Sequence, residues 1–316
     1  MRVLVTRPLT AAAIEAISAR FDAHVHEGGA LDESAAARAL AEYDAILPTL
    51  GDRFTAAAFA DGSPRCRLLA NFGVGYNHID LAAARAVGVA VTNTPDAVTD
   101  ATADIAMTLL LMTARRAGEG ERLVRAGHWT GWTPTQLLGT HVTGKTVGII
   151  GMGRIGKAIA ARCYNGFGMR VLFHNRSLVS APGVPARQSA SLTDALRDCD
   201  FAVLSVPGGA GTRHMIGAAE LDALGPGGIL VNVSRGDVVD ESALIDALRA
   251  GRIAGAGLDV YEHEPQVPAA LRDMENVTLL PHLGTAAEEV RTAMGLRALS
   301  NLIALAEGRP LPDLVN

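Results

Sequence analysis

Aromatic residues make up only 4% of this 316-residue chain. Against that background two tryptophans close together, Trp129 and Trp132, stand out. Lysine is scarcer still: Lys145 and Lys157 are the only ones, and the remaining positive charge is arginine, scattered rather than blocked. With a net charge of -5 the chain has no basic field for nucleic acid, which is excluded as an expected partner. The three cysteines, Cys66, Cys163 and Cys199, form no CxxC pair and no metal-ligand spacing. An odd, unpaired set argues against a disulfide framework and for a reducing compartment, with buried thiols and no bound metal expected. Long apolar runs are absent too. Ile105 to Met112 falls far short of the roughly 20 residues that a membrane span needs, and the apolar start MRVLVTRPL is too short for a signal peptide. A cytoplasmic protein without a membrane partner is expected.

What remains is ordinary for a packed globular protein, with 49% hydrophobic and 19% charged residues. At about 150 residues per domain, the length suggests two domains. From the start, short apolar runs alternate with stretches of helical spacing. Arg2 to Thr6, His24 to His26, Ala45 to Pro48, Arg67 to Asn71 and Val89 to Thr92 read as strands, and Thr10 to Arg20, Glu33 to Leu40 and Leu81 to Val87 as helices. Such alternation predicts a parallel sheet covered on both faces. Thr99 to Arg116 then reads as one long helix with Asp100 and Asp104 near its start, where acids suit the helix dipole. Gly118 to Thr140, carrying both tryptophans, reads as loop apart from a helical piece at Glu121 to Arg125.

A second α/β series begins at Thr146 to Gly156, TVGIIGMGRIG. The apolar run Val147 to Ile150 meets Gly151, Gly153 and Gly156, and an Ala-rich helix is predicted from about Met152. In the dinucleotide-binding fingerprint the first glycine makes the turn, the second admits a pyrophosphate and the third lets helix pack on strand. The helix would aim its free N–H groups and positive dipole end at the phosphates. Further strands are predicted at Val171 to Phe173, Phe201 to Ser205, Ile229 to Val233, Ala254 to Leu258 and Val277 to Leu280. The helices between them are read around Lys157 to Cys163, Leu192 to Arg197, Ala218 to Leu224 and Glu241 to Ala250. The last helix, Glu288 to Glu307, lies beyond this series and is expected to return to the first domain. That leaves the nucleotide domain inserted, with crossings near Pro95 to Thr99 and Gly284, and pockets favour such domain boundaries.

Three segments place ionisable residues just after predicted strands, where open parallel sheets bind ligands: NVSRGD around Arg235, LDVYEHEP around Asp259 to Pro265, and LPHLGT around His282. A cation, a carboxylate and an imidazole there suit reduction of a carbonyl on an anionic substrate.

The phrases NFGVGYNHID, NTPDAVTDATAD, TVGIIGMGRIGKAIA, NVSRGDVVDESAL, GLDVYEHEP and LPHLGT occur in the order found in the D-isomer-specific 2-hydroxyacid dehydrogenases. The chain resembles that family over almost its whole length. With GHWTGWTP it is most similar to the branch of glyoxylate and hydroxypyruvate reductases. The resemblance implies an α/β fold of two Rossmann-like domains, in which a dinucleotide-binding domain, 99–284, is inserted into a discontinuous flavodoxin-like substrate domain, 1–98 and 285–316. It assigns catalysis to Arg235, Glu264 and His282. His282 would donate the proton to the ketone oxygen, Glu264 would hold its other ring nitrogen, and Arg235 would pair with the substrate carboxylate through its planar donor fork. The same resemblance places the backbone N–H groups of Val74 and Gly75 on the carboxylate and a tryptophan, Trp132, across a homodimer interface to close the pocket. It further implies cofactor contacts at Thr99, Arg154 and Ile155, at Val206, Pro207, Thr212 and Val233, at Asp259 on the nicotinamide amide, and at His282 and Gly284. Among the other histidines His263 is the one most easily mistaken for the catalytic residue, with His24, His26, His78, His128, His141, His174 and His214 read as surface or packing residues.

Two features depart from the family pattern. Gly208-Gly209-Ala210-Gly211 replaces larger residues, which predicts a looser nucleotide-side loop, and Thr285-Ala286-Ala287 replaces a small polar run. At the end of the second strand, where an acid normally holds the ribose hydroxyls of NAD, the chain reads His174-Asn175-Arg176-Ser177. Arg176 and Ser177 suit a 2′-phosphate, with Asn175 beside them among the cofactor contacts, so NADP(H) is the expected cofactor, ahead of NAD(H). The expected activity is reduction of a small 2-keto acid, glyoxylate or hydroxypyruvate. A bulkier, phenylpyruvate-like substrate and a nucleotide-sensing corepressor are the alternatives. A formate dehydrogenase is disfavoured because Glu264 is present, and a regulated phosphoglycerate dehydrogenase because no further domain follows Asn316.

Overall fold

The chain's computed structural model describes all 316 residues as α/β, divided into two compact units. The first comprises residues 1–98 and 285–316 and the second residues 99–284.

In the first unit, strands β1 (Arg2–Val5), β2 (Asp22–Val25), β3 (Ala45–Leu47), β4 (Leu68–Ala70) and β5 (Ala90–Thr92) form one sheet in the order β2-β1-β3-β4-β5. Every pairing is parallel, and the order is that of doubly wound flavodoxin-like sheets. Side chains alternate across the sheet, so both faces need apolar cover. Val3, Val5, Leu47 and Leu68 meet Ile17 of α1 (Ala11–Ser18) and Leu302 of α11 (Glu288–Ala306). Leu4, Ile46, Leu69 and Val91 meet Leu40 of α2 (Glu33–Glu42) and Ala84 of α3 (Leu81–Ala86). Asp32 and Asp80 cap α2 and α3 by accepting the amides of Ala35 and Ala83. The final helix α11 packs on α1, where Thr292 donates to Thr10 at 2.8 Å.

The second unit opens with α4 (Thr99–Ala114) and α5 (Ala117–Arg125). Its strands are β6 (Thr146–Ile150), β7 (Arg170–His174), β8 (Ala186–Gln188), β9 (Phe201–Leu204), β10 (Ile229–Asn232), β11 (Gly255–Leu258) and β12 (Val277–Leu279). They form a seven-stranded sheet in the order β12-β11-β10-β9-β6-β7-β8, parallel throughout. This is the Rossmann order extended by one strand. On one face Val147, Ile149 and Val203 pack against Leu109 and Leu110 of α4 and Ile159 of α6 (Arg154–Phe167). On the other, Ile150, Leu204 and Leu230 pack against Leu196 of α7 (Leu192–Arg197), Leu221 of α8 (Ala218–Leu224) and Leu244 of α9 (Glu241–Arg249).

Several local readings change. Strand β8 was not foreseen: its sequence Ala-Arg-Gln lies partly exposed at the sheet edge and carries no apolar run. The one-turn helix α10 (Ala269–Arg272) was likewise unread, and α5 starts at Ala117, ahead of the expected Glu121. Asp100 and Asp104 do more than suit a dipole, since Arg162 of α6 bridges both, at 3.1 and 2.7 Å. All three cysteines are buried and unpaired, and burial pushes each thiol up to about 12. No helix is long and apolar enough to cross a membrane.

Candidate active site

A parallel sheet sends the C-terminal ends of all its strands to one edge, so the loops that follow them are brought together whatever their separation in sequence. In the second unit these are the loops after β6, β7, β9, β10, β11 and β12.

The turn after β6 depends on glycine at two positions. Gly151 has φ of 98°, and a Cβ there would lie 2.8 Å from the Ser205 carbonyl oxygen. Gly156 meets the turn itself, since its Cβ would stand 2.0 Å from the Gly151 oxygen. Ser205 Oγ donates to that same oxygen at 2.6 Å. Gly153, by contrast, faces open space. It is the extended N-cap of α6, so the helix begins at Arg154 rather than near Met152. Open space before a helix N-terminus is what a pyrophosphate requires. Ile155 is half-buried and packs on the core beneath.

Beside this turn, Asn175 acts as a bracket: its side-chain oxygen accepts the Met152 amide at 3.2 Å, and its nitrogen donates to the Ser177 carbonyl and hydroxyl at 3.0 and 3.2 Å. Arg176 and Ser177 are exposed after β7. In the loop after β9, where the glycines suggest a looser segment, Thr212 Oγ1 donates to the Pro207 carbonyl at 2.7 Å. Val206 packs partly buried, Val233 is buried, and Thr99 is half-buried at the start of α4.

Arg235 follows β10 and is half-buried; burial pulls its guanidinium below its ordinary value, opposed by the charges of Glu264 and Asp237. The next residue, Gly236, presses against the backbone of Tyr261, where a Cβ would lie 2.0 Å from the carbonyl oxygen. The loops after β10 and β11 are thereby locked together. Glu264 sits in the second of these, its Oε1 accepting the Tyr261 amide at 3.1 Å. Its Oε2 is 2.8 Å from His282 Nδ1. Burial would raise this carboxyl, but the hydrogen bond and charge of His282, the Tyr261 amide and Arg235 together hold it below the ordinary value.

His282 follows β12 with φ of 56°, an uncommon conformation for a non-glycine residue. Asp259 sustains it. The Asp259 carbonyl accepts the His282 amide at 2.9 Å, while its carboxylate accepts those of Leu283 and Gly284 at 2.6 and 2.8 Å. This carboxylate is buried, with both oxygens taken by the chain, and burial raises its pKa. Asp259, expected on the nicotinamide amide, also supports the His282 turn, a role that no spacing in the sequence announces. Tyr261 is a second such support: its hydroxyl donates to the Leu280 carbonyl at 2.9 Å and joins the ends of β11 and β12. Gly284 is buried, and its carbonyl accepts from Thr102 at 3.2 Å.

A second histidine, His214, read from the sequence as a surface or packing residue, also pairs with a glutamate. His214 Nε2 lies 2.8 Å from Glu262 Oε1, which Arg213 also reaches at 3.1 Å. Neither tryptophan belongs to the core: Trp132 is 78% exposed and Trp129 53%. Val74 and Gly75 lie in the first unit, in the loop after β4.

Comparison with known proteins gives a consistent picture. The family model of the D-isomer specific 2-hydroxyacid dehydrogenase NAD binding domain matches residues 107–284. A glyoxylate reductase of Thermococcus kodakarensis is 43% identical over 100% of this chain and 96% of its own. One from Aeropyrum pernix is 40% identical with the same coverage. Among solved structures, an NADPH-dependent glyoxylate/hydroxypyruvate reductase of Sinorhizobium meliloti, in complex with NADP and malonate, superposes with a TM-score of 0.89 at 37% identity. The match covers 99% of this chain and 96% of that one.

Proposed function

The chain belongs to the D-isomer-specific 2-hydroxyacid dehydrogenase family, and from that premise we propose that it is an NADPH-preferring reductase of glyoxylate and hydroxypyruvate, forming the D-2-hydroxy acid. The observation that carries this reading is the His282–Glu264 pair with the Arg235 charge beside it, at three successive strand ends. Support for the substrate comes from the glyoxylate reductases to which the chain is similar.

The glycine turn and the open N-terminus of α6 fit a dinucleotide, which Arg176 and Ser177 would hold at its 2′-phosphate. The bound nicotinamide supplies the hydride. His282, with its Nδ1 proton directed to Glu264, presents Nε2 to the substrate and donates the proton that the ketone oxygen takes up. Through that hydrogen bond Glu264 fixes the plane of the imidazole. Arg235 binds the carboxylate and draws charge toward the keto oxygen, and the amides of Val74 and Gly75 are further carboxylate donors. The reading includes a homodimer, in which the exposed Trp132 would close the pocket of a second copy.

A steady-state panel of glyoxylate, hydroxypyruvate, pyruvate and phenylpyruvate with NADPH and NADH tests the reading. The expected result is a preference for the small acids and for NADPH, with Arg176→Ala raising KM for NADPH about 10-fold while leaving that for NADH unchanged. Equal efficiency with NADH overturns the cofactor preference. Preference for phenylpyruvate overturns the substrate.

A further inference from the structure

The loop after β4 shows how backbone alone becomes an anion site. Three successive carbonyls are tied to the protein behind them. Gly73 O accepts from Asn71 Nδ2 at 3.0 Å and from the Thr94 amide at 3.1 Å; Gly75 O accepts from the same Asn71 nitrogen at 3.1 Å; Val74 O accepts from Asn93 Nδ2 at 3.0 Å. In a planar trans peptide the N–H of the next residue points opposite to the carbonyl. Tying these three carbonyls therefore turns the amides of Val74, Gly75 and Tyr76 the other way, and none of the three donates to another group of the chain. Successive outward N–H groups form a concavity suited to an anion.

One side chain fixes both ends of this arrangement. Asn71 is fully buried, and its single NH2 group spans the Gly73 and Gly75 carbonyls. Its Oδ1 is buried with no partner. A buried amide that uses both donors and leaves its acceptor unpaired is placed there for the donors, because an orphaned oxygen is unfavourable by itself.

We propose that Asn71 is a positioning residue for the substrate: it holds the Gly73 and Gly75 carbonyls back so that the Val74 to Tyr76 amides stand as a preset donor row for the carboxylate of the 2-keto acid. This rests on the reading above that these amides bind the carboxylate. Asn71→Asp keeps the shape but loses the donors, sets oxygen against two carbonyl oxygens and puts negative charge behind the anion site. Asn71→Ser is too short to span both carbonyls and adds no charge.

The test is calorimetric binding of oxamate, an unreactive carboxylate, to the NADPH-loaded protein, together with glyoxylate kinetics. Both variants are expected to weaken oxamate binding and raise KM for glyoxylate by about 10- to 100-fold, as for lost hydrogen bonds to a charged group. The NADPH Kd stays within about 2-fold of wild type and kcat falls less than KM rises, a split that general loosening of the fold would not give. Asn71→Ser decides the matter if Asn71→Asp does not fold. Unchanged oxamate binding in a folded variant overturns the inference, as does an equal loss of NADPH affinity. Wild-type protein that fails to reduce glyoxylate overturns the functional reading instead, and the oxamate measurement does not depend on turnover.

Discussion

Two histidine–glutamate pairs stand in the second unit, each at 2.8 Å, their glutamates two residues apart in one loop. Both histidines have positive φ, 56° for His282 and 48° for His214. By pair geometry alone they are equivalent. Their surroundings are not. Glu262 is shared between His214 and the exposed Arg213, so its charge is already answered by a cation on the same loop as the imidazole. Glu264 also receives the Tyr261 amide and faces Arg235 across the loop interface, and these groups hold its carboxyl below the ordinary value. The backbones differ as well. One carbonyl, that of Asp237, accepts the His214 amide at 2.7 Å, whereas Asp259 holds His282 and the two residues after it. The two pairs are therefore told apart by the half-buried Arg235 beside one of them and by how many backbone amides fix its histidine turn, not by the pair itself.

Replacing the imidazoles separates the two most sharply. His282→Ala should lower kcat for keto-acid reduction by about 10²- to 10⁴-fold, the usual contribution of a general acid, while His214→Ala should leave it nearly unchanged in the same steady-state assay. Wild-type turnover from His282→Ala would invert the comparison. A smaller effect is expected from the cations. Arg235→Lys loses the planar fork and should cost about 10- to 100-fold in kcat/KM for glyoxylate, with Arg213→Lys close to wild type. Subtler again is the effect of the glutamates. Glu264→Gln keeps an acceptor for His282 Nδ1 but loses the charge, so kcat should fall by about 10-fold at any one pH in the assay range, and Glu262→Gln should stay close to wild type.

The smallest difference is in acid stability. Glu264 is held below its unfolded value, so the unfolded chain binds its proton first as pH falls. Its contribution is complete above the ordinary carboxylate pKa of about 4.3 and is lost as pH drops through the lower native value. Melting temperatures taken from neutral to acid pH should therefore fall more steeply for wild type than for Glu264→Gln.

The fold was legible because parallel strands buried on both faces read as apolar runs, as in Val147 to Ile150 and Phe201 to Leu204. Short or half-exposed elements such as β8 carry no such signal. The glycine turn was legible through its spacing, and the three strand-end segments through their order. What could not be read were contacts that end on backbone. Asp259 holds three amides, Asn71 spans two carbonyls, and Thr212 closes its own loop. Backbone groups are the same at every position, so a side chain that binds them leaves no partner in the sequence to pair it with. His214 escaped for a related reason: Glu262 is 48 residues away, and only the sheet order brings them together.

The three buried thiols supply the protein with its own probe of how its halves come apart. Thiol reagents attack the thiolate, and groups lifted to about 12 in the interior react only when the surrounding structure opens. Cys66 belongs to the first unit, and Cys163 and Cys199 to the second. In pulsed alkylation followed by intact-mass measurement, a singly labelled species would report opening of the first unit alone, a doubly labelled one opening of the second, and a direct jump to three labels a chain that unfolds as one. An added nicotinamide dinucleotide should suppress the double label selectively, so that the protein reports which unit the ligand stabilises.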